Sequence, residues 1–215
     1  MIKVSHNIIS NMKKLVFLGL FVALLSSGCR ANIETHVFFP EIKLPLTGVQ
    51  STVGSIEFYV SREFQIEKQE DITLDQILWS YEASSRGRVS YEIKISAHGE
   101  DSVGLFAACS PENLCLPIRN TYGSPPPYVV NAPVIFTGQI NGGVHSFSDI
   151  PQNAASLREL QDAIESGKIW VIVKVTTNNP LQFIQGDTLR ITNLRGDISL
   201  HKNLDYFFPF SGIFF

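Results

Sequence analysis

The residues of this chain that could do chemistry are few and widely spread. Cysteines stand at Cys29, Cys109 and Cys115, and histidines at His6, His36, His98, His145 and His201. Cys109 and Cys115 bracket the loop Ser110-Pro111-Glu112-Asn113-Leu114. Such a pair could bridge, hold a metal or cycle electrons. A metal would want further ligands at close spacing, and none stands beside them in the sequence. A redox pair would usually read Cys-x-x-Cys. The histidines show no HExxH pattern and no i,i+4 pair. No G-x-S-x-G elbow and no phosphate-cradling glycine loop occurs. Glu100 and Asp101 fall in a turn, where a solvated acidic pair is a sufficient explanation. Tyr122 and Tyr128 flank Gly-Ser-Pro-Pro-Pro, a stretch that proline holds extended. Aromatics there could stack on sugars or grip a partner, or the segment could be a rigid connector. No reaction follows from this set, so no enzyme activity, cofactor or metal is expected.

The most informative stretch is MKKLVFLGLFVALLSSGCR, residues 12–30. Lys13 and Lys14 precede an unbroken apolar run from Leu15 to Leu25. That run suits a signal-peptide core and is too short for a spanning helix, which needs about 20 residues. Small residues follow at Ser26, Ser27 and Gly28, then Cys29. The pattern resembles the lipobox of bacterial lipoproteins, in which the cysteine thiol is acylated and becomes the mature N-terminus. It departs from that family where Ser26 replaces the usual Leu, with Leu25 one step earlier. The resemblance implies a leader over 1–28, with Met12 the more natural start, and fatty chains of the palmitate kind on Cys29. Arg30 stands where the family uses Asp for inner-membrane retention, so the outer membrane is favoured in a two-membrane organism. One acyl chain binds membranes marginally, and several make the anchor durable. In that oxidising compartment a Cys109–Cys115 disulfide is the expected state.

With the three leader lysines set aside, the body carries 14 basic and 20 acidic residues, a net charge of −6. An acidic body argues against nucleic acid and against an electrostatic grip on anionic lipid. Residues 29–54, with Pro40, Pro45, Gly48 and Gly54, read as a tether. Residues 55–215 read as one domain.

Within that domain the hydrophobic period is mostly two. Ile77, Trp79 and Tyr81 alternate with polar neighbours, and so do Val89, Tyr91, Ile93 and Ile95. Ser84 to Arg88 supplies an expected turn between these runs. A second hairpin is expected from 103–108 and 114–118, and a third around Asn141-Gly142-Gly143. One helix is predicted over about 156–166. Ser156 and Glu159 form a capping box, Leu157, Leu160, Ala163 and Ile164 an apolar stripe, and Gly167 the stop. Lys168 to Thr177 is apolar on both faces and should be a central strand. Strands near 189–192 and 194–200 differ in phase, which implies a bulge or turn. The fold class expected is mainly β: an antiparallel β-sandwich with one short α-helix.

Three further patterns bear on function. Leu44-Pro45-Leu46-Thr47-Gly48 matches the sortase signal but lacks its C-terminal context, and reads as coincidence in a tether. Arg195-Gly196-Asp197 spells the integrin tripeptide and could sit on a turn. Tyr206 to Phe215 holds five of the fifteen phenylalanines and should close one end of the sandwich or form an apolar patch. The function expected is a lipid-anchored, non-catalytic envelope protein, an accessory, scaffold or binding lipoprotein. Its partners would be the membrane, through the lipid, and an envelope protein or glycan. Alternatives are a carbohydrate- or peptidoglycan-binding module using Tyr122 and Tyr128, and a small outer-membrane β-barrel.

Overall fold

The computed structural model describes residues 29–47, 49–50, 55–100, 103–109, 116–117, 122–151, 153–177, 183 and 186–204. The leader, the loop carrying Cys115 and the Phe-rich residues 206–215 lie outside the described residues. The chain order is β1 (Cys29–Phe38), β2 (Ile42–Pro45), β3 (Val49–Gln50), β4 (Ile56–Gln65), β5 (Ile72–Ser96), β6 (Val103–Cys109), β7 (Leu116–Pro117), α1 (Pro127–Asn131), β8 (Val134–Pro151), α2 (Ala154–Ser166), β9 (Lys168–Thr177) and β10 (Thr188–Leu204). The main sheet is antiparallel and open, in the order β1-β10-β5-β9-β4-β6, with β2 also on β10 and β8 on β5. The expected fold class holds: mainly antiparallel β, folded as a sandwich.

β5 is the axis. Ile77, Trp79, Tyr81, Ala83, Val89, Tyr91, Ile93 and Ile95 are all buried, as their alternation predicts. The turn expected at Ser84 to Arg88 is not there, because β5 runs through it as a single strand of 25 residues. The hairpin expected at Asn141-Gly142-Gly143 is not there either, because β8 is unbroken across it. These two segments lie opposite one another, Ser85 against Gly143 and Arg88 against Asn141, with an extra residue on β5 between those pairs. Gly142 and Gly143 adopt φ of 72° and 75°, which costs glycine no Cβ clash. The turn-forming residues therefore bend a two-stranded ribbon instead of reversing a chain.

The extent of the bend shows at α2. The Gln161 side chain accepts from Leu74 N–H (2.9 Å) and donates to the Ile72 carbonyl (2.9 Å). Glu159 accepts from Ala97 N–H (2.6 Å). A straight strand of 25 residues would span about 80 Å at the usual rise. Yet two helix residues about 3 Å apart along the axis clasp both of its ends. β10 pairs with β5 over Ile72–Ser84 and β9 with β5 over Tyr91–Ser96, so the two sheet halves share β5 and β8. Bent over, they face each other: Phe39, after β1, lies 5.0 Å from Phe64 of β4 and 6.0 Å from Trp79.

β9 is central, between β5 and β4. Val171, Val173 and Val175 join the main core, while Ile172 packs with Tyr59, Phe106, Val129 and Ala132 in a second cluster beneath α1. That second layer explains why the β9 sequence is apolar on both faces. The strands read near 189–192 and 194–200 are one strand, β10, and the phase shift between them is a bulge at Asn193, with φ of 53°.

Four further expectations are corrected. β6 pairs with β4, and β7 pairs with β3, instead of β6 and β7 forming a hairpin. The helix starts at Ala154, two residues early, because Asn153 caps it: its side-chain oxygen accepts from Ser156 N–H (3.0 Å). Ser156 is thereby taken inside the helix, and Glu159 is turned outward to Ala97. The stretch after Tyr122 stays extended only to Pro126, and proline at the first helical position starts α1. The helix stop is as read, with Gly167 left-handed at φ 78°. Residues 29–54, read as a tether, contribute β1 and β2. Phe38 faces Arg195 and Ile42 faces Ile191, so the two strands follow β10 in one register.

Candidate functional site

The bend leaves a cleft where the helix does not fill the space beneath it. Its floor and walls come from Ile33 and Val37 of β1, Phe39, Leu74 and Ile77 of β5, Ile198 and Leu200 of β10, Ile169 of β9, and Leu160 and Ile164 of α2. Its volume is about 610 Å³, within the range of small-molecule sites, about 300–1,000 Å³. Polar groups reach it from Thr35, His36, Gln65, Glu67 and Gln69. Ile33, 41% exposed, and Phe38, 67% exposed, stand at the β1 side.

Local sequence explains each wall. β1 lines one side of the cleft with Ile33, Thr35, His36 and Val37. On β5 the buried parity changes from Leu74 to Ile77, because Asp75 is an extra residue between the pairs Leu200–Leu74 and Ser199–Gln76. Asp75 uses that bulge to accept from His201 Nδ1 (2.7 Å). The helix wall is fixed by the Gln161 and Glu159 clasps.

Beside the cleft, on the β1–β10 edge, Asp197 accepts from Arg195 Nε (2.6 Å) and pairs with the His36 ring. Desolvation would raise the Asp197 carboxyl. The hydrogen bonds from Arg195 and His36, with their charge, outweigh it and hold the carboxyl below its ordinary range. Arg195 also lies over the Phe38 ring at 5.6 Å. The Arg195-Gly196-Asp197 triplet expected on a turn is therefore in mid-strand. Its charges are spent on each other, and Gly196 is paired with both Val37 and Trp79. The sortase-like stretch is likewise structural, since Leu44 and Leu46 are fully buried.

The residues singled out from the sequence do not converge on the cleft. Cys29 is the first residue of β1, its backbone opposite Leu204. Cys109 ends β6, opposite Ile56, and Cys115 lies outside the described residues. Tyr122 is buried: its hydroxyl donates to the Pro45 carbonyl (2.7 Å), and its ring meets Phe58 edge-on at 5.8 Å. Burial pushes that hydroxyl up to about 12. It presents no open ring face to a sugar. Tyr128 is half-buried, 6.4 Å from Trp170, with its hydroxyl 3.3 Å from Ser61 Oγ. The two tyrosines thus join different clusters, not one exposed platform.

Sequence reasoning marked Ile77, Leu160 and Ile164 as apolar-face positions and placed Ile33, Val37 and Phe39 in a tether, and it found no site, because a gap between elements leaves no mark on periodicity. It weighed His98 among scattered histidines and Glu159 as a cap without joining them to Asp162, although the ligand-capable atoms of the three lie within 4.8 Å of one another. The only local signal was the i,i+3 carboxylate pair on α2. Among the described residues no helix is long and apolar enough to cross a membrane. No protein-family model matches the chain, and no curated protein matches it in sequence.

Proposed function

We propose that this is a lipid-anchored, non-catalytic binding protein of the bacterial cell envelope, in which Cys29 carries the anchor and the cleft receives a single apolar chain such as a lipid acyl tail. The observation that carries the binding half is the cleft itself: aliphatic walls from sheet and helix, with polar groups beside them. Such a surface favours burial of methylene groups, at about 0.8 kcal/mol each, and Glu67 is the one carboxylate among its mostly aliphatic lining. The leader supports the location, and the outer membrane is the destination where the organism has two. An anchor at Cys29 would be joined directly to the sheet edge, since β1 begins there. Cys109 and Cys115 form the disulfide of this reading.

Two measurements test it. Mass spectrometry of the protein isolated from membranes should find an acylated Cys29 as the first residue, and Cys29→Ser should release the protein. A fluorescent fatty acid should brighten on binding the native protein, and Ile33→Glu with Phe38→Glu, both exposed at the cleft, should abolish that signal while circular dichroism stays unchanged. An unmodified cysteine overturns the anchor, and no brightening overturns the cleft assignment.

A further inference from the structure

The structure assigns a second site, on the solvent side of α2: His98, Glu159 and Asp162 form a three-ligand site for a divalent first-row transition ion, Zn²⁺ being the best fit. Glu159 and Asp162 are three residues apart on the helix and therefore on one face of it. His98 comes from the segment that follows β5, two residues beyond its last strand position. The ligand atoms of all three lie within 4.8 Å of one another, and His98 Nε2 is 3.9 Å from Asp162 Oδ2. Zinc bonds of about 2.0–2.2 Å to nitrogen and oxygen set tetrahedral neighbours about 3.4 Å apart. The His98–Asp162 gap must close by about half an ångström, and no gap in the set by more than about 1.4 Å, within the reach of exposed side chains (74% for His98, 52% for Asp162).

The donors define the ion. One imidazole and two carboxylates give a site of charge −2 when the histidine is neutral, and they leave positions open for water. Nitrogen disfavours Ca²⁺ and Mg²⁺, which take oxygen, and the lack of thiolate disfavours Cu(I). The framework is already positioned. Glu159 is held by Ala97 N–H (2.6 Å), and His98 N–H donates to Ser96 Oγ (3.1 Å). The next residue is pressed against Trp170, since a Cβ on Gly99 would come within 2.2 Å of that ring. A carboxylate oxygen that accepts one hydrogen bond keeps lone pairs for a metal. Bound there, the ion ties the end of β5 to the helix that also holds its beginning. It thus closes the clasp over the cleft without entering it.

Calorimetric titration of the chelator-stripped full chain with Zn²⁺ should show one saturable site, and Mg²⁺ or Ca²⁺ should not occupy it. Co²⁺ should give a visible absorption band and quench Trp170 emission. His98→Ala should weaken Zn²⁺ by more than the 10–100-fold that losing an outer-shell partner costs, with the circular dichroism spectrum unchanged. Asp162→Ala should do the same. No saturable binding, or binding undiminished in His98→Ala, overturns the assignment. Neither result depends on whether Cys29 is acylated or the cleft binds a chain.

Discussion

Glu57, Tyr59, Lys94 and Lys174 show how single residues govern stability on the α1 side of the sheet. Lys94 is 4% exposed, and its ammonium donates to the carbonyls of Val129 (3.2 Å) and Val130 (2.6 Å) at the end of α1. Burial lowers its pKa, and the Lys174 charge lowers it further. Lys174 in turn pairs with Glu57 at 2.7 Å. Burial raises the Glu57 carboxyl, but hydrogen bonds from Lys174 and Tyr59 exceed that effect, and the net shift is downward from 4.5. The unfolded chain then binds more protons than the folded one between the two values, so stability rises with pH across that window. The contribution is present above about pH 4.5 and is lost as pH falls through the folded value. Glu57→Gln should therefore lower the unfolding midpoint at neutral pH, and the gap from the parent should shrink as the pH is taken toward 3. A gap that does not change with pH would show that Glu57 acts by packing alone.

At the scale of elements, the helix cap is the clearest test. Asn153→Ala removes the acceptor for Ser156 N–H and should cost about 1 kcal/mol in chemical denaturation. In chelator-stripped protein Glu159→Ala leaves the cap intact, so any loss it causes there reports the Ala97 contact instead. A Glu159 effect on helix content equal to that of Asn153 would restore the capping box that the sequence suggested. The misreading is instructive. Ser156, three residues before Glu159, satisfies the pattern, but Asn153 is reached first by the chain and binds the same N–H. The strands show the same limit. The alternation of Ile77, Trp79, Val89 and Tyr91 was fully legible, because burial imposes it locally. Ser84–Arg88 and Asn141–Gly143 were read as reversals because glycine and serine mark any backbone that must deviate, bend or turn alike. Which one occurs depends on a partner more than 50 residues away. The cleft was illegible for a related reason: Leu160, Ile198 and Leu74 look like any core residues until their spacing in the fold is known.

At the scale of the molecule, the sheet halves have two strands in common, so neither half can persist without the other. Trp79 lies in the half built on β10 and Trp170 in the half built on β9. Single-tryptophan variants, Trp79→Phe and Trp170→Phe, should report coincident thermal midpoints when each is compared with its own circular dichroism trace. A fluorescence midpoint displaced from its dichroism trace would reveal separate units and contradict the shared-strand architecture. The pairing of β1 with β10 has a consequence in time as well. Cys29 meets Leu204, so the earliest strand of the described chain waits for the latest one before its backbone is satisfied. A nascent chain exposes that unpaired edge until synthesis has passed residue 204. Contacts of such sequence separation place folding in the slow range, from milliseconds to seconds. The fold is thus completed from its two ends, late and all at once.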